Sequence, residues 1–343
     1  MENFESSRIL GIGNPTLEIC ACAAPGYLRR WEVLEGSNTE GSEKMIEEIL
    51  AYFPVRMIPS GSTLNVLKAF QWLARNQNRT TFLGRVGDDE MSNILRDSIQ
   101  RCGIQAHFRT VNQSTGKRLV LATRRQRGPY VKPTVVRCEQ PLKLPSKVDL
   151  RRSKMLFVSS IEFSSRVSAS GAVKLFRQAI GENKLTALQI NHRRSEVAPK
   201  EELLELMLHS RFIFITSSCV RRTFGTYEEF LDQIPSSSAH CLVVTRGRNP
   251  TKVTCGRLSV ELSVIAAEKV NDTQGANDAF VGAFLHQIID EEELNEENIK
   301  EALTAGHWAK SEVLQRHGAN IPRQKNYYAW RAGTADYSHR CRG

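Results

Sequence analysis

The sequence predicts a doubly wound α/β sheet carrying a small β lid, and three observations predict it. Short apolar runs alternate with amphipathic stretches along most of the 343 residues. Two more polar regions, about 18–59 and 104–140, interrupt that alternation. One glycine-bearing stretch, NDTQGANDAFVGAF at 271–284, opens a helix with an acid in its first turn. Strands alternating with helices build a parallel sheet, because each crossover helix packs on the sheet and brings the chain back in the same direction. The polar interruptions fit a lid inserted into that sheet.

Taken in order, RILGIG (8–13), TTFLGRVG (80–87), MLFVSSI (155–161), ALQIN (187–191), FIFIT (212–216) and CLVVTRG (241–247) read as buried strands. Helical spacing occupies 62–75, 89–101, 168–181, 200–209, 278–290 and 297–317. Phe70 and Trp72 fall among core positions of the first of these, and His307 is a packing residue of the last. RLSVELSV (257–264) alternates apolar and polar residues as a half-buried strand does. After it, Phe280, Ala283, Phe284 and Ile288 recur at helical spacing. Asp278 therefore stands where a loop becomes a helix. The tail from Arg323 has no clear period and is expected to be loosely held.

With 41% hydrophobic and 24% charged residues the composition is that of a globular protein. No apolar run approaches the roughly 20 residues of a membrane span, and MENFESSRIL carries two glutamates where a leader would be basic or apolar. The expectation is a cytoplasmic monomer without membrane contact. Eight scattered cysteines form no CxxC pair, so neither a zinc site nor a disulfide framework is indicated, and most are expected to be buried thiols. The formal net charge of +10 favours anionic partners. Between 117 and 137 seven cations stand with no acid, either a solvated face or a contact for polyphosphate or nucleic acid.

An aspartate in a first turn is ordinarily a cap residue. Here more is in place. A loop opening a helix leaves backbone N–H groups unpaired at the positive end of the helix dipole, which is a site for an anion. Gly275 and Ala276 leave room for phosphate oxygens, and Asp278 behind them can accept the proton of an attacking hydroxyl. Phosphoryl transfer needs little beyond such positioning, charge neutralisation and a base. The P-loop pattern is absent, and GIGNPT has Thr16 where a dinucleotide fingerprint needs its third glycine.

These residues resemble the ribokinase-like (PfkB) sugar and nucleoside kinases, most nearly the adenosine kinase branch, from about residue 9 to 322. DTQGANDAFVGAFL is similar to that family's D-T-x-G-A-G-D-x-F signature, and GIGNPTLE, SGSTLNVLKAFQWL, TFLGRVGDDEMSNIL and AGHWAKSEVLQRHGANIP resemble family segments in the same order. The resemblance implies one kinase domain over 1–322 with a tail at 323–343, ATP and Mg²⁺ as cofactors, and transfer of the γ-phosphoryl group to a ribose 5′-hydroxyl or related sugar alcohol. By the same resemblance Asp278 is the base, and Gly275, Ala276 and Asn277 form the anion hole. Thr245 and Gly247 serve ATP, and Glu18, Gly61 and Asn65 hold the nucleoside or sugar. It assigns no protein ligand to the metal.

The departures cluster in the site. Asn277 stands for a glycine, though asparagine tolerates left-handed dihedrals. Glu18 stands for an aspartate one methylene shorter. The Mg²⁺-organising N-x-x-E element falls on Ser217–Val220 and has lost both its amide and its carboxylate. Glu162 stands where the family stacks an aromatic ring, and Asn191–Glu196 is unusually basic. Three readings stay open: a kinase with an altered acceptor, an impaired kinase fold retained as a binding or assembly subunit, and a nucleic-acid-associated protein using 117–137 and 191–196.

Overall fold

The computed structural model describes residues 8–23, 25–75, 79–123, 134–138, 144–145, 147–162, 166–191, 200–234, 240–322 and 324–333. Strand β1 (Ile9–Ile12) opens the body, and the chain leaves it for β2 (Thr16–Ala23), α1 (Pro25–Arg30), β3 (Asn38–Glu40), α2 (Glu43–Tyr52) and β4 (Val55–Ser60). Helix α3 (Ser62–Ala74) returns to β5 (Thr80–Gly87), α4 (Glu90–Gln100) and β6 (Gln105–Val111), followed by β7 (Lys117–Thr123) and β8 (Thr134–Cys138). The second half alternates β9 (Met155–Ser159), α5 (Arg166–Gly181), β10 (Leu185–Ile190), α6 (Lys200–Leu208) and β11 (Phe212–Thr216). Short helices α7 (Ser217–Thr223) and α8 (Tyr227–Gln233) precede β12 (Cys241–Arg246), β13 (Asn249–Cys255) and β14 (Leu258–Leu262). Helices α9 (Ala276–Ile288), α10 (Glu296–Leu314) and α11 (Tyr327–Arg331) end the described chain.

Nine strands form the body sheet in the order β14-β13-β12-β11-β10-β9-β1-β5-β6. The run from β12 to β6 is parallel, and the last two strands turn back antiparallel. Because β1 has β5 on one side and β9 on the other, the connections run opposite ways from it, and a crevice opens at the carboxyl ends of the strands there. A second sheet, β3-β8-β7-β2-β4, is the lid. Its second piece starts later than the sequence indicated. Residues 105–111 pair in parallel with β5 and belong to the body, so that lid segment begins at β7.

Alternate residues of the central strands feed two cores: Phe157 and Phe214 pack on one face, Leu156 and Ile213 on the other. Burial on both faces is why these strands read as unbroken apolar runs. The lid has its own cluster of Ile19, Ile46, Leu119 and Val136. Among the described residues no helix is long and apolar enough to cross a membrane. Of the seven cysteines described only Cys219, Cys241 and Cys255 are buried, fewer than expected; all seven are free thiols.

The beginning of the tail is docked, contrary to expectation. Tyr327 is buried with its ring 5.3 Å from that of Trp308, and Trp72 stacks on Trp308 at 4.6 Å. Trp72 is only half-buried, and its Nε1 donates to the Lys325 carbonyl at 2.9 Å; Phe70 is fully buried. Residues 334–343 lie outside the described part.

His307 sits on α10 against the Phe280 ring, with neither ring nitrogen hydrogen-bonded to a described residue. Burial pushes its pKa from 6.5 down to about 4. The unfolded chain then binds more protons than the native one between those values, so stability is expected to fall as pH falls from 6.5 toward 4. Denaturant unfolding across that range should show a shallower loss for His307→Leu than for the wild type.

Candidate active site

The glycine-bearing loop is pinned by Asp272, whose Oδ1 accepts from the Gln274 amide at 3.0 Å and Oδ2 from the Gly318 amide at 2.9 Å. Gly275 caps α9 at φ 71°, and a Cβ there would lie 2.5 Å from the Ala319 methyl. Only glycine meets both demands. Asn277 does not need the left-handed tolerance credited to it, since it lies within α9 and the positive φ falls on Gly275. The amides of Gly275, Asn277 and Asp278 find no acceptor among the described residues, and that of Ala276 reaches the Thr273 carbonyl only at 3.4 Å. A first turn with open amides is an anion seat.

Asp278 is buried beneath that turn. Its Oδ1 accepts from Ser62 Oγ at 3.0 Å and Gln189 Nε2 at 2.9 Å, and its Oδ2 from Asn65 Nδ2 at 3.1 Å. Ser159 and Asn191 in turn donate to Ser62 Oγ at 3.1 and 3.3 Å. Four elements thus converge on one carboxylate: the ends of β9 and β10 and the starts of α3 and α9. Burial raises its pKa, against the pull of the three donors and of the Arg118 charge. The net direction is upward, which makes this carboxylate more basic than an exposed one.

Glu18, on lid strand β2, is buried as well. Its Oε1 accepts from Ser60 Oγ at 2.9 Å and from Arg118 Nη1 at 3.2 Å, while Oε2 has no partner among the described residues. Asn65 Oδ1 is likewise unmatched, and its Nδ2 lies 3.4 Å from Ser60 Oγ, so Glu18 and Asp278 belong to one polar chain. Gly61 turns β4 into α3 at φ 123°, where a Cβ would stand 2.6 Å from the Asn14 carbonyl.

Thr245, next to last in β12, is in register with Thr216, which caps α7, so it stands near the carboxyl edge of the sheet. Gly247 makes the following turn at φ 69°, with open space where a Cβ would be. A polyphosphate suits these surroundings: open amides at α9 and room beside Gly247. A protein-bound Mg²⁺ does not. Val220, where the family has a carboxylate, packs in the core with Ile215 and Phe230, and no group of three or more metal-ligating side chains occurs among the described residues.

The basic stretch is not an open face where it is described. Lys117 bonds Glu43 at 2.5 Å, Arg118 bonds Glu18, and Arg137 is buried. Arg124, Arg125, Arg127 and Lys132 lie outside the described residues, as do residues 192–199 and the side chain of Glu162. Sequence reasoning missed Ser62, Gln189, Asp272 and Arg118. Gln189 was the detectable one, a lone polar residue at the carboxyl end of an apolar strand.

Residues 45–326 match the family described as pfkB family carbohydrate kinase, and the chain belongs to that family. It is 25% identical over 341 residues to adenosine kinase 2 of Arabidopsis thaliana, covering 93% of this chain and 97% of that protein. The fold is similar to the adenosine kinase of Sinorhizobium meliloti, with a TM-score of 0.75 at 18% identity, covering 96% and 100% of the two chains. A probable sugar kinase from Rhizobium etli superposes with a TM-score of 0.76 at 16% identity over 97% and 100%.

Proposed function

We propose that this chain is an ATP-dependent phosphotransferase acting on a hydroxyl of a nucleoside ribose or related sugar alcohol, with Asp278 as the base. The observation that carries the reading is the Asp278 carboxylate held by Ser62, Gln189 and Asn65 directly under the open amides of the α9 start. ATP supplies the γ-phosphoryl group when bound, its phosphates held by the 275–278 amides with Thr245 and Gly247 alongside. Burial and the three donors hold the Asp278 carboxylate fixed beside the acceptor hydroxyl, whose proton it takes as the oxygen attacks. The unmatched Glu18 Oε2 and Asn65 Oδ1 are two acceptors waiting for two donors, which is what neighbouring sugar hydroxyls provide. The names of the relatives favour a nucleoside or a sugar.

Glu18→Gln is expected to raise the acceptor KM about tenfold with a smaller change in kcat, because it weakens a charge-assisted bond made in ground and transition states alike. Steady-state kinetics at varied acceptor concentration measure the split. Val220 in the core favours a second reading, a fold that binds nucleotide without turnover. Calorimetric titration with ATP, with and without Mg²⁺, tests the first requirement: binding in the micromolar to millimolar range supports a nucleotide site, and no heat at millimolar ATP removes both readings.

A further inference from the structure

A cavity of about 640 Å³ lies at the carboxyl end of α3, away from the catalytic pocket, bounded by α10, the turn after α4 and the docked tail. Ser62 and Asn65 on α3 face Asp278, whereas Trp72 and Arg75 at its other end line the cavity. Lys68, Arg75, Arg101 and Lys325 contribute four cations to its wall, and no acidic residue lines it. The Lys68 ammonium is committed to the carbonyls of Pro59 and Ala319, and Arg101 bonds Ser98 Oγ. The Arg75 guanidinium has no partner among the described residues and is exposed. The floor is Trp308, which is buried with Trp72 stacked on it at 4.6 Å. The half-buried Trp72 ring and positive charge with no acid in the lining meet in a space of ligand size.

We propose that this cavity is a second binding site, separate from the catalytic pocket, for a small aromatic anion of the mononucleotide class. The ring lies against the exposed part of Trp72, and the phosphate takes Arg75 and Arg101. The proposal does not depend on the kinase reading.

AMP is the probe, with adenosine and inorganic phosphate as its two halves. Equilibrium dialysis should find one AMP equivalent whose affinity falls about tenfold or more in Arg75→Gln/Arg101→Gln. AMP should also bind there more tightly than either half. Both substituted residues are exposed, so the variant retains its fold and its catalytic site. Loss of one equivalent from two, or from one if the catalytic pocket takes no AMP, supports the site, so failure of the kinase reading remains distinguishable. Equal stoichiometry and affinity in both proteins, or no AMP bound by either at millimolar concentration, overturns it.

Discussion

Replacing Asp278 with asparagine is expected to lower the acceptor-dependent rate by about 100- to 10,000-fold while leaving the fold standing. The amide has the size of the carboxylate, and its oxygen still accepts from Ser62 and Gln189. Its NH₂ meets the Asn65 side chain, whose unmatched Oδ1 accepts after a flip of that amide. The loss is therefore chemical. Stability bears on the same point. Burial sets the folded pKa of Asp278 above the ordinary carboxylate value, so the native state binds more protons between the two and stability falls as pH rises through that window. The neutral amide lacks this penalty, and thermal unfolding near neutral pH should place the variant no lower than the wild type. A variant that lost activity together with ten degrees of Tm would mean that Asp278 is chiefly structural.

Gly282→Ala is expected to cost about 3 kcal/mol of stability, at the upper end of overpacking effects. A Cβ at 282 would lie 2.2 Å from the Val66 carbonyl oxygen and 2.9 Å from the Phe70 amide, so backbone rather than a movable side chain resists it. Helices α3 and α9 must part, and with them Ser62 and Asn65 draw away from Asp278. Misplacement near 1 Å costs about 100-fold in rate, so activity should fall as well. Gly181→Ala is the control: nothing lies within 4 Å of that Cβ, and the position is at an exposed helix end. Equilibrium denaturation should leave the control within about 0.5 kcal/mol of the wild type and lower Gly282→Ala clearly.

The body strands were legible because burial on both faces writes itself as continuous apolar runs, and α3, α9 and α10 because each carries an apolar face over many residues. Helices α7 and α8 were not, being seven residues each; the capping box at Thr226 and Glu229 was the one local signal of α8. Residues 105–111 were misassigned to the lid because a half-exposed edge strand of the body reads the same as a lid strand, and only pairing with β5 separates them. In the site, Asp278 and Gly275 could be singled out from local sequence, since a helix start is a local structure. Ser62, Gln189 and Arg118 could not be joined to Asp278 or Glu18 that way, because their partners stand 216, 89 and 100 residues away. The Glu18–Arg118 pair also changes the meaning of a substitution: the longer acid reaches a guanidinium on the neighbouring lid strand, and one carboxylate oxygen has no partner among the described residues.

In the proposed reaction the carboxylate under the α9 amides activates a sugar hydroxyl toward ATP. ADP release measured with purified protein, ATP and Mg²⁺ over a panel of nucleosides and sugars tests it most directly. Release is expected to depend on one class of hydroxyl-bearing acceptor and to collapse in Asp278→Asn. Nucleotide binding with no acceptor-dependent release across the panel, or release that the Asp278 variant retains in full, would contradict it.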